Sequence, residues 1–70
     1  MNKSSGGKLS QTVKKLREEK GLSQEKLARL SHVSNNTIVN IEAGKQNNPT
    51  IETLKRIAKA LAISVDNLIE

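Results

Sequence analysis

Seventy residues with no cysteine, no aromatic residue and one proline suit a single small domain and exclude a disulfide or thiolate-metal staple. A chain this short buries only ~60 % of its unfolded surface, so nearly every Leu, Ile, Val and Ala belongs in an aliphatic core. No deep substrate cavity is left over, which counts against an enzyme. Twelve Lys and Arg against seven Asp and Glu give a net charge of +5, which attracts polyanions without identifying one.

Met1 to Lys8 holds Ser4, Ser5, Gly6 and Gly7 and no apolar period. It reads as a flexible arm carrying Lys3 and Lys8, followed by a folded domain over residues 9–70. The arm is polar and lacks the apolar stretch of a secretory signal, and no run approaches the ~18 apolar residues of a membrane span, so a cytoplasmic protein is expected.

From Leu9 the helical period takes over. Leu9, Val13 and Leu16 fall at i, i+4 and i+7, and Gly21 supplies a stop. Ser23 is a good N-cap for a second helix, Gln24 to Ser31, with Leu27, Ala28 and Leu30 predicted inward and Glu25, Lys26 and Arg29 outward. Ser34 caps a third helix from Asn35 to about Ala43, ended at Gly44 by a left-handed residue. After the polar loop Lys45 to Pro49, Thr50 caps a fourth helix whose Ile51, Leu54, Ile57, Ala58 and Leu61 keep the apolar period, with Lys55, Arg56 and Lys59 outside. Ser64 caps a last short helix bearing Val65, Leu68 and Ile69. Five short helices and no strand pattern predict an all-α bundle.

The third helix has two contrasting faces. At about 100° per residue, Thr37, Ile38 and Ile41 point one way, while Asn35, Asn36, Val39 and Asn40 span roughly 140° on the other. An ordinary solvated face carries Glu, Lys and Gln; Asn is a mediocre helix former, so three of them cost helix stability. Reading base edges justifies that cost: Asn bonds bidentately to adenine, and Val39 or Thr37 suits a thymine methyl. A helix start explains Asn35 well, Asn36 in part and Asn40 poorly.

The stretch LSQEKLARLSHVSNNTIVNIEAGKQNNPTIETLKRIAKALAISVDNLI closely resembles the Cro and phage-repressor type of helix-turn-helix domain, the XRE-like group, with similarity from about Val13 to Ile69. LSQEKLA, VSNNTIVNIEAG and NPTIETLKRIAKALAISVDNLI carry it in combination. The resemblance implies a five-helix, lambda-repressor-like bundle whose third helix enters the major groove of double-stranded DNA while the second crosses the backbone. It puts Asn35, Asn36, Thr37 and Asn40 at base-reading places, and Gln24, Lys45, Gln46 and the backbone of Asn47 and Asn48 against phosphates. It makes Arg17 and Glu42 an internal ion pair and Val65 and Leu68 subunit contacts, with completion of the monomer core as the other reading of those two.

His32 stands where the family usually has a turn glycine. Histidine tolerates a left-handed conformation at a cost of ~1–2 kcal/mol, so a strained turn is expected there and not a metal site; a lone His without Cys makes a poor one. No cofactor is implied. The recognition helix has no Arg or Lys for bidentate guanine contacts, so an operator leaning on A·T pairs is expected. At ~1–3 kcal/mol per good base contact one module falls short of specific affinity, which implies a homodimer on a two-fold operator, most simply a repressor. The alternative is an antitoxin-like component that binds a partner protein and autoregulates through DNA. No catalytic constellation is present, since Ser4-Ser5-Gly6-Gly7-Lys8 lacks the strand that precedes a phosphate-cradling loop. RNA binding is disfavoured because no aromatic side chain can stack on bases.

Overall fold

The computed structural model describes residues 5–46 and 48–69, with side chains from Lys8 onward. Its elements are five helices: α1 (Ser5–Glu19), α2 (Gln24–Ser31), α3 (Asn35–Glu42), α4 (Ile51–Ala60) and α5 (Val65–Ile69). No strand occurs among the described residues, as the aliphatic periodicity predicts.

All four caps predicted from sequence are made. The hydroxyls of Ser23, Ser34, Thr50 and Ser64 accept the backbone N–H of Lys26, Thr37, Thr53 and Asn67, at 3.0, 3.1, 3.1 and 3.2 Å. Each satisfies one orphan donor in the first turn. The first four helices end alike, on a residue in the left-handed region: Gly21 (φ 68°), His32 (φ 58°), Gly44 (φ 76°) and Ala62 (φ 61°). After each, the next N–H turns back to a carbonyl five residues earlier, as from Val33 to Ala28 at 3.0 Å and from Ile63 to Ala58 at 3.0 Å.

α1 packs on α3 and α5, α2 on α3 and α4, and α4 on α5. Every helix contributes to one core, in which Val13, Leu27, Ile38, Ile41, Ile57, Leu61 and Leu68 are essentially sealed from solvent. With no aromatic ring to fill space, density comes from branched side chains meeting near the middle of the bundle. No helix among the described residues is long and apolar enough to cross a membrane.

Several boundaries and faces differ from expectation. α1 starts at Ser5, not Leu9, so Ser5 to Lys8 form its first turn and not part of an arm. Gly6 and Gly7 disguise that turn by their poor propensity, but extending an existing helix adds a hydrogen bond for each residue fixed. Met1 to Ser4, with Lys3, lie outside the described residues. Leu30, predicted inward, is 50 % exposed, because the buried stripe of α2 runs Leu27, Ala28, Ser31 and Leu30 sits about 110° from its centre. The buried Ser31 hydroxyl donates to the Leu27 carbonyl at 2.7 Å, which satisfies it within its own helix. Ile51 is likewise 61 % exposed, lying in the first turn of α4 at the edge of the stripe centred on Leu54, Ile57 and Leu61.

Candidate nucleic-acid interface

The outward face of α3 is held by what lies behind it. Ile38 and Ile41 are 0 % and 1 % exposed and fix the helix on the core. On the opposite face Asn35 and Asn36 are exposed, and Val39 and Asn40 are half-buried. The face so presented is uncharged amide and methyl.

Thr37 is half-buried, and its hydroxyl lies 2.7 Å from the Ser34 hydroxyl in the cap. The side chain is therefore tied into the start of the helix, with its methyl left as the group free for apolar contact.

The far end of α3 is locked by Glu42. Arg17 Nε and Nη2 donate to its two carboxylate oxygens at 2.6 and 3.0 Å, a bidentate pair between α1 and α3 with side chains only 12 % and 4 % exposed. The hydrogen bond to Glu42 holds the Arg17 guanidinium above its ordinary range, outweighing the opposing effect of burial. Arg17 Nη1 donates to the Leu22 carbonyl at 2.7 Å, and the Ser10 hydroxyl donates to the Glu42 carbonyl. Pairing at both oxygens and along the guanidinium offsets desolvation, and the fork geometry sets the tilt of α3 against α1.

Gln24, at the first position of α2, donates from Nε2 to Glu42 Oε1 at 3.0 Å. The same carboxylate thus fixes α3 and orients an amide at the entrance of α2. One N–H of that amide and its carbonyl oxygen remain for an outside partner.

Beyond α3, Lys45 and Asn48 are exposed and Gln46 is half-buried; Asn47 lies outside the described residues. The backbone N–H groups of Lys45 and Gln46 both donate to the Asn40 carbonyl, at 2.9 and 3.2 Å, so those two residues have side chains and not amides to offer. Val65 is half-buried, but Leu68 is 0 % exposed within the single chain. Leu68 therefore completes the core and has no surface left for a subunit contact; the exposed apolar residue of α5 is Ile69.

His32 has the left-handed conformation that its place in the turn implies. Among the described residues no group of three or more His, Asp and Glu is placed to hold a metal ion. Sequence reasoning missed Arg56, which bridges from α4 to the His32 carbonyl, and the left-handed Ala62. A basic residue on a solvated face and an alanine in a turn carry no local signal of either.

The helix-turn-helix family matches residues 13–68 of this chain, from the first buried valine of α1 through α5. The chain belongs to the helix-turn-helix family, of the Cro and phage-repressor type. Within that family it is 34 % identical over 62 residues to the HTH-type transcriptional regulator SinR of Bacillus subtilis, covering 89 % of this chain and 56 % of the relative. The chain thus spans a little over half the length of that curated relative. The fold agrees with that of SinR, the master regulator for biofilm formation, in a crystal structure in complex with DNA: TM-score 0.85 at 34 % identity, over 89 % of this chain and 98 % of that one. It also agrees with the restriction-modification controller protein C.AhdI from Aeromonas hydrophila, at TM-score 0.84 and 35 % identity over 90 % and 94 % of the two chains. The curated relative is a transcriptional regulator and the second structure a controller protein.

Proposed function

We propose that this helix-turn-helix chain binds double-stranded DNA sequence-specifically as a transcriptional regulator, placing α3 in the major groove of an operator as a homodimer and acting as a repressor by occupancy. The observation that carries this reading is the outward amide face of α3, with Asn35 and Asn36 exposed and Asn40 half-buried, mounted on two sealed isoleucines and locked at its far end by the Arg17–Glu42 pair. A rigid helix with an uncharged, hydrogen-bonding outer face has the properties direct readout requires. That a relative of the same fold has been solved with DNA supports the choice of ligand.

In this reading Asn36 and Asn40 read adenine edges, Asn35 and Thr37 contact the groove at the helix start, and Val39 meets a thymine methyl. Gln24, held by Glu42, donates its second N–H to a phosphate, and Lys45, Gln46 and Asn48 follow the next stretch of backbone. The second subunit docks on Val65 with the exposed Ile69 beside it. The work takes place in the cytoplasm, beside the DNA.

Selection of bound duplexes from a random pool, in parallel for the native chain and Asn36→Ala, tests this. An enriched A·T-bearing palindrome that changes or disappears with Asn36→Ala is expected. Enrichment identical in the two, or binding with no enriched motif, would overturn the base-reading role of α3.

A further inference from the structure

The α2–α3 turn is braced from a direction that neither helix supplies. Arg56, on the outer side of α4, donates from Nη1 to the His32 carbonyl at 2.9 Å and from Nη2 to Glu52 Oε2, one turn earlier on α4, at 2.7 Å. His32 is the residue of that turn in the left-handed region, where a Cβ crowds the backbone at a cost of ~1–2 kcal/mol. One planar guanidinium therefore ties the strained peptide of the turn to α4, with Glu52 fixing the guanidinium's own orientation.

From this geometry we infer that Arg56 is a positioning residue for DNA recognition: it sets the angle at which α3 leaves α2 by anchoring the His32 carbonyl, without touching DNA itself. The inference rests on the proposed DNA-binding reading. Ser34, the cap of α3, follows His32 by two residues, and α3 carries Asn35 and Asn36 immediately after it. A rotation at the turn is thus delivered directly to the amide face. The far end of α3 is pinned by Arg17 and Glu42, so Arg56 governs the near end. Its side chain is 47 % exposed and that of Glu52 72 %, so the contact contributes modestly to stability. A small change in helix angle nonetheless matters for bidentate base contacts, whose geometry is narrow.

Arg56→Met, which keeps the apolar stem, separates this role from the two plainer ones. In the free protein the backbone amide resonances of His32 to Asn36 should shift, and not only those of α4. Operator affinity should fall by about tenfold, the order of one charge-assisted hydrogen bond. Affinity for a scrambled duplex and its salt dependence should stay unchanged. Equal loss on operator and scrambled duplex, with a salt slope shallower by about 0.9, would make Arg56 a phosphate contact and overturn the inference. Unchanged operator affinity with shifts confined to α4 would reduce it to a surface pair with Glu52. If the native chain itself failed to discriminate duplexes, the DNA reading would fall, while the amide shifts would still decide whether Arg56 sets the turn.

Discussion

The two faces of α3 are built on opposite principles. Inward, Ile38 and Ile41 are sealed and Glu42 is gripped by Arg17 and Gln24, so the groups there satisfy one another. Outward, Asn35 and Asn36 are exposed and Asn40 is half-buried. Such residues lower the stability of the helix that bears them. If the outer face reads DNA as proposed, stability and recognition separate on one eight-residue helix: changes behind it should unfold the domain, and changes in front should cost binding while sparing or even raising stability.

The largest expected effect breaks the inner face. Arg17→Met leaves the Glu42 carboxylate buried with only Gln24 to oppose it, and should cost ~3–5 kcal/mol in denaturant unfolding. Most of that loss should return in Arg17→Met with Glu42→Leu, where no charge is stranded. Ile38→Ala, which opens a cavity at a sealed position, should cost ~2–5 kcal/mol.

How much of this contrast is legible in the sequence depends on whether its cause is local. The four N-caps and the core stripe of each helix follow from spacing, since a capping hydroxyl acts three residues away and a stripe repeats every turn. Leu30 and Ile51 escape the same rule because their helices are two to three turns long, too short for the period to fix the centre of the buried stripe. The residues of the Arg17–Glu42 pair are 25 positions apart, and those of the Arg56–His32 bridge 24. No period links such positions; family resemblance supplied the first, and nothing supplied the second. Ser31 and Ala62 are silent for another reason: a small residue in a core stripe or a turn looks ordinary until its neighbours are in place.

Smaller effects sharpen the comparison from the outer face. Asn40→Ala should weaken operator binding by ~1–3 kcal/mol in anisotropy titrations, the value of one bidentate base contact. It should also raise the melting temperature, because Ala is the better helix former in the middle of α3. A mutation that stabilises the fold and damages binding is the signature of a face kept for recognition. His32→Gly removes the left-handed strain and should raise Tm by roughly 3–5 °C in calorimetry, reduced somewhat by the added freedom of the unfolded chain. Last, Lys45→Ala should leave Tm almost unchanged and reduce the slope of log affinity against log salt by about 0.9 if its side chain neutralises one phosphate.

In the proposed function DNA is read by the amide face of α3, and side-chain amide resonances report on that face directly. In a titration of the labelled protein with its selected duplex, the NH2 signals of Asn36 and Asn40 should show the largest shifts, with Gln24 and the Lys45 to Asn48 loop next and the buried methyls of Ile38 and Ile41 nearly still. Shifts concentrated on α5 or the outer side of α1, with the asparagine signals of α3 unmoved, would contradict the account.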